Sequence, residues 1–190
     1  MEGFYRTYPM FSLCGLNCAL CQLHLGGYCP GCGGGPGNQA CAIARCSRQH
    51  GGIEYCFECD EFPCDRYKDA GEYDSFISTR NHMRDLEQAR RFGMDAYRAE
   101  LDEKVKILHQ LLDGCNDGRR KTLFCQAVNL LELNDLKTVM DSLGTELTTL
   151  DEEPSLKERA AVAARLIQEM AGKRGVDLKL RKKPGKSESK

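Results

Sequence analysis

Ten of the twelve cysteines fall between Cys14 and Cys64. Six of these form three C-x-x-C pairs: Cys18/Cys21, Cys29/Cys32 and Cys56/Cys59. The others are Cys14, Cys41, Cys46 and Cys64. A C-x-x-C turn lets two sulfurs converge on one ion with little strain. Two such corners, or one corner and two single thiols, complete a tetrahedron. The segment "CPGCG", residues 29–33, has the form of a zinc or rubredoxin knuckle. Pro30 fixes φ after the first sulfur. Gly33 can take a positive φ, which turns backbone N–H groups toward the thiolates. Sites built from thiolates alone suit zinc or iron. A disulfide framework is the competing use of an even set of thiols in a short zone. Against it stand the start "MEGFYRTYPMFSL", which lacks the pattern of a secretory signal, and the long cysteine-poor extension.

Ten thiols exceed what two four-thiolate sites need, and two zinc ions are the expected load. Short loops are the cheapest to close. That favours Cys29, Cys32, Cys41 and Cys46 as one set and Cys18, Cys21, Cys56 and Cys59 as the other, with an interleaved arrangement left open. Cys14 and Cys64 then stand as substitutes, reactive thiols or members of a third centre. Zinc contributes on the order of 10 kcal/mol per site to folding, which suits a glycine-rich zone with little core. An iron–sulfur cluster is the alternative. "CGLNCALC" places Cys14, Cys18 and Cys21 at C-x₃-C-x₂-C, and Cys64 could complete a four-iron centre. The ferredoxin run is missing, and no alternation of strands and helices follows. His24 and His50 lie at ligand-compatible spacing but read as neighbours of a surplus of thiols.

The elements around these thiols divide the chain. Residues 1–65 read as loops and short turns, a small irregular cysteine-rich domain stabilised by metal. Residues 66–172 read as an α-helical domain, making the chain mainly α. Ser78 is a candidate cap for a helix stopped by Gly93, and Asp95 for one carrying Leu101, Val105, Leu108 and Leu112 and stopped by Gly114. A third helix runs from Arg119 to Leu131. Asn134 is a candidate cap for a short fourth with Leu136, Val139, Met140 and Leu143, ended by Gly144. A fifth starts at Pro154 and offers Leu156, Ala160, Ala163, Ile167 and Met170. "VDLKL" reads as a strand or an extension, and residues 173–190 as a basic, disordered tail.

That tail holds eight Lys or Arg against two acids, a net +6, so the formal −1 of the chain leaves −7 on residues 1–172. An acidic body argues against a nucleic-acid face, except through the tail. Arg119, Arg120 and Lys121 crowd a helix start, where cations oppose the dipole. Either acids nearby pair with them, or they bind an anion such as phosphate or an acidic peptide. Cys125, in the same helix, reads as a small buried hydrophobe, and His82 and His109 as packing or solvent-facing groups. No P-loop, dinucleotide fingerprint, H-E-x-x-H or G-x-S-x-G occurs. No stretch approaches a membrane span, and the expected compartment is the cytoplasm. The reading is a structural-metal binding or adaptor module without a catalytic centre of its own.

The order "CGLNCALC", "CPGCG", "CAIARC", "GGIEYCFECDEFPC", then "FGMDAYRAELDEKV" and "DGRRKTLFCQAVNLL", resembles the DUF3795 family of small cysteine-rich bacterial and archaeal proteins of unknown function. The resemblance runs to about Leu143. It implies a cysteine-ligated metal module, with zinc as the metal, in a cytoplasmic protein. It supplies no reaction, substrate or partner.

Overall fold

The computed structural model describes residues 3–38, 41–68, 72–149 and 153–183. The chain is mainly helical, as expected, and seven α-helices occur among the described residues. In the cysteine-rich zone these are α1 (Gln22–Leu25) and α2 (Ala42–Gln49), joined by single 3₁₀ turns at Cys18–Leu20, Cys56–Glu58 and Asp65–Tyr67. Then come α3 (His82–Phe92), α4 (Met94–Cys115), α5 (Lys121–Leu130), α6 (Leu133–Thr148) and α7 (Leu156–Arg174). No strand forms among the described residues, only isolated bridges between Tyr5 and Gly34 and between Phe11 and Asn17.

The apolar periodicity acts as read. Leu101 and Leu108 of α4, Phe124 and Val128 of α5, Leu136 and Val139 of α6, and Ala160, Ala163 and Ile167 of α7 are buried together. α4 packs against α3, α5, α6 and α7 and is the central helix. Leu156 is the exception: it lies in the first turn of α7 and is exposed.

Helix ends differ from expectation where a glycine or cap was read too literally. Gly93 (φ 88°) and Gly175 (φ 66°) do end helices, because each takes a positive φ that L side chains avoid. Gly114 and Gly144 take no such φ, and α4 and α6 continue through them. Asp95 and Asn134 lie inside the first turns instead of capping them. α7 starts at Leu156 with Ser155 as its cap, so Pro154 precedes the helix instead of standing in its first turn. Ser155 Oγ accepts from Glu158 N, and Glu158 Oε2 accepts from Ser155 N at 2.9 Å, a closed capping box.

The core does not stop at residue 65. Phe11 is fully buried against Tyr97 of α4 (ring centroids 4.5 Å) and Tyr55 (5.7 Å), and Leu20 is also fully buried in the helical cluster. By contrast, the cluster private to the cysteine-rich zone has only Phe4, Leu13 and Ala44 as buried members.

A buried polar network crosses the same junction. Asn17 Nδ2 donates to Asp85 Oδ2 (2.9 Å) on α3, and Tyr97 donates its hydroxyl to Asn17 Oδ1 (2.9 Å). Lys104 Nζ donates to Leu131 O (3.0 Å) just past α5, a cation at a helix C-terminus.

Part of the segment expected as a disordered tail is ordered. α7 extends through Arg174, Val176 and Leu178 pack on the core, and Arg181 is bound to Asp74 (Nη2–Oδ1 2.8 Å). Residues 184–190 lie outside the described residues.

Candidate metal centre

All twelve cysteines are free thiols. Two C-x-x-C corners close as backbone turns: Cys21 N donates to Cys18 O (3.0 Å), and Cys59 N to Cys56 O (3.1 Å). In the knuckle, Gly31 (φ 89°) and Gly33 (φ 76°) both take the left-handed region. Cys32 N donates to Pro9 O, and a Cβ on Gly31 would stand 2.6 Å from that same oxygen. Glycine is therefore required for close approach as well as for φ.

The thiols gather in two patches that interleave along the chain, with Cys14 standing between them and facing both. In the first, Cys18 lies beside Cys14 and Cys32, and Cys41 lies close enough for its charge to oppose ionisation of Cys14 and Cys32. The Cys32 amide is within hydrogen-bonding reach of the Cys18 sulfur. Ser12 Oγ is 3.2 Å from Cys14 Sγ. Burial pushes the Cys14 thiol up to about 11 and raises Cys18 further. Burial also raises Cys32, against the opposing pull of the Arg6 guanidinium.

In the second patch, Cys46, Cys56, Cys59 and Cys64 line one small cavity of about 20 Å³. Burial pushes Cys56 up to about 12, with the neighbouring Tyr67 hydroxyl pulling the other way. Cys14, Cys64 and Cys46 also face Cys56 and raise it. His50 Nδ1 stands 3.9 Å from Cys59 Sγ, and Arg66 lies beside Cys46 and Cys64.

This differs from the grouping favoured by loop length. Cys46 joins Cys56, Cys59 and Cys64, not Cys29. Cys18 faces Cys32, while Cys21 packs on the helical core and lies near Cys125 of α5. Cys21 still lies near enough to Cys18 for its charge to oppose ionisation there. Cys29 opens the knuckle and its carbonyl meets His24 Nδ1 at 2.9 Å. Among the described residues, no three His, Cys, Asp or Glu side chains converge closely enough to hold an ion as they stand. The donor chemistry nonetheless fits a soft divalent ion, since both patches are sulfur-rich and, apart from the exposed Cys41, partly withdrawn from water.

Residues 25–69 match the DUF3795 family model. The family is described as protein of unknown function. The matched segment takes in Cys29, Cys32, Cys41, Cys46, Cys56, Cys59 and Cys64, and so the whole second patch. Cys14, Cys18 and Cys21 lie before it. No curated protein and no solved structure matches the chain.

Three residues that carry no local sequence signal shape this region. Arg6 is nearly buried and donates to Glu54 O (2.6 Å), Phe11 O (2.8 Å) and Cys32 O (3.3 Å), tying the knuckle to both flanking loops. Ser12 supports Cys14. Tyr67 has a buried hydroxyl with no hydrogen-bond partner of ordinary geometry, beside the Cys56 sulfur.

At the start of α5, Asn116 Oδ1 accepts from Gly118 N and Arg120 N, and Asp117 Oδ1 from Arg119 N. Asp117 also pairs with Arg120 at 3.8 Å. Asp117 thus answers the Arg120 guanidinium, whereas Arg119 is bonded through its backbone N–H. Cys125 is fully buried, and burial pushes its thiol up to about 11. No helix among the described residues is long and apolar enough to cross a membrane.

Proposed function

We propose that this protein is a zinc-binding module in which thiolate–metal bonds order the cysteine-rich zone, and that it presents the ordered zone as a structural or adaptor surface. One observation carries the reading. Ten thiols are gathered where the private apolar cluster buries only Phe4, Leu13 and Ala44. Burying Phe4 and Leu13 contributes about 2 kcal/mol each and Ala44 less, and adding Phe11, Leu20 and Tyr55 from the shared core still leaves the sum far below the entropy of ordering this much chain. Structural zinc contributes on the order of 10 kcal/mol per site. Cys14, Cys18, Cys32 and Cys41 supply one group of donors, and Cys46, Cys56, Cys59 and Cys64 the other. When bound, the ion fixes four sulfurs in a closed tetrahedron with no open position for water. Arg6 holds the knuckle and Glu54 together.

The test is hydrogen exchange on reduced protein before and after stripping with a chelator. Amides of residues 14–64 should exchange markedly faster after stripping, while those of α4, α6 and α7 keep their protection. Unchanged protection of residues 14–64 contradicts the reading.

A further inference from the structure

Resting on that reading, the cavity behind Tyr67 supports a more specific assignment. We propose that Cys46, Cys56, Cys59 and Cys64 share one ion, and that Tyr67 is its positioning residue, donating its buried hydroxyl to the Cys56 thiolate.

Three observations carry this. First, these four cysteines line a single cavity of about 20 Å³, room for one water-sized sphere. Second, the Tyr67 hydroxyl is buried and lacks an ordinary partner, which a hydroxyl tolerates poorly. The Cys56 sulfur lies beside it, with Cys14 and Cys64 also near. A neutral thiol is a weak acceptor, whereas a metal-bound thiolate is a strong one, so loading the ion satisfies the orphaned group. Third, the ring is fixed. Phe62 meets it edge-on at 5.6 Å, and His82 at the start of α3 packs on it at 5.6 Å. A donor held by packing is what orients a ligand around a metal. The 3₁₀ turn Asp65–Tyr67, one residue after Cys64, delivers the hydroxyl to the site.

The four sulfurs do not yet stand at bonding distance of a common point. Zinc–sulfur bonds are about 2.3 Å, so binding draws the side chains inward around an existing cavity. Arg66, beside Cys46 and Cys64, offsets part of the negative charge that four thiolates bring.

The experiment is zinc content per chain in serine variants of the full protein, purified reduced. Cys56→Ser should lose one ion. Cys46→Ser/Cys64→Ser should lose the same one and no more, because both thiols belong to it. Cys56→Ser/Cys32→Ser should lose both ions. Loss of both ions from the Cys46/Cys64 double variant, or of only one from the Cys56/Cys32 pair, overturns the shared site. Wild-type protein is also titrated with zinc and alkylated, which needs no substitution. The four cysteines should become protected in step, and protection at separate zinc equivalents contradicts the assignment. Absence of zinc from wild type would end the broader reading as well.

For Tyr67, the Cys32→Ser background isolates the site. Tyr67→Phe there should keep its ion but release zinc to a chelator about ten-fold faster or more. With cobalt in place of zinc, the sulfur-to-metal charge-transfer band should shift. The same release rate and the same band in both proteins would show that Tyr67 only packs.

Discussion

Asp85 is a carboxyl placed against its preference. Burial pushes it up to about 6 from an ordinary value of 3.8, although Arg84, Lys104 and Asn17 all pull the other way. Tyr97 and Glu100 of α4 also face this cluster. A carboxyl whose folded value lies above its unfolded one binds its proton more tightly when folded. Its contribution is complete below about pH 4 and is lost as pH rises through about 6, a loss of about 2–3 kcal/mol. Asp85→Asn keeps an acceptor for Asn17 and removes the titration. The stability of the variant relative to wild type should therefore rise by about 2 kcal/mol between pH 4.5 and pH 7 in urea unfolding. Proton release from thiols is common to both proteins and cancels in the difference. A difference that stays flat with pH contradicts this account of the junction. None of it was legible in the sequence, because Asn17, Asp85 and Tyr97 meet only when three separate segments pack. Cys125 was legible, since a lone cysteine on an apolar helix stripe is most simply core.

At the scale of elements, the 3.6-residue apolar pattern placed α3 to α7, because one buried stripe per helix is a local property of sequence. Their ends were less legible. A glycine stops a helix when the chain turns away there in the left-handed region, as at Gly93 and Gly175. Gly114 and Gly144 have neighbours that continue the helix, and no local signal separates the two cases. The segment after α7 is held by a contact that spacing cannot show. Asp74, its carboxylate fully buried, accepts from Thr79 N (2.9 Å), Ser78 Oγ (3.1 Å) and Arg181 Nη2 (2.8 Å). Burial alone would raise this carboxyl, but Arg181 and Thr79 outweigh it and hold it well below the usual range. Its contribution is therefore present above about pH 4 and lost below it. Asp74→Ala should cost about 3 kcal/mol in urea unfolding at neutral pH. Adding Arg181→Ala should cost little more, because both substitutions break one pair. Fully additive losses would show that the two residues act separately.

For the whole molecule, the sequence made the thiol-rich zone and its donor chemistry plain, and left the grouping of sulfurs open. Loop length favoured neighbours in the chain. The fold instead turns Cys21 toward α5 and brings Cys46 to Cys56, Cys59 and Cys64, because α1 must pack on α5 and the turn at Cys56–Glu58 on α3. Tyr67 and Arg6 had no motif to announce them, since a donor to sulfur can come from any polar residue that packing delivers. The same packing joins the cysteine-rich zone to the helices through Phe11, Leu20 and Tyr55. Elemental and sulfide analysis of protein purified without oxygen tests the central claim most directly. About two zinc ions per chain, with neither iron nor acid-labile sulfide, is the predicted result. Metal-free protein with its sulfurs joined in disulfides, or iron recovered with sulfide, would contradict it.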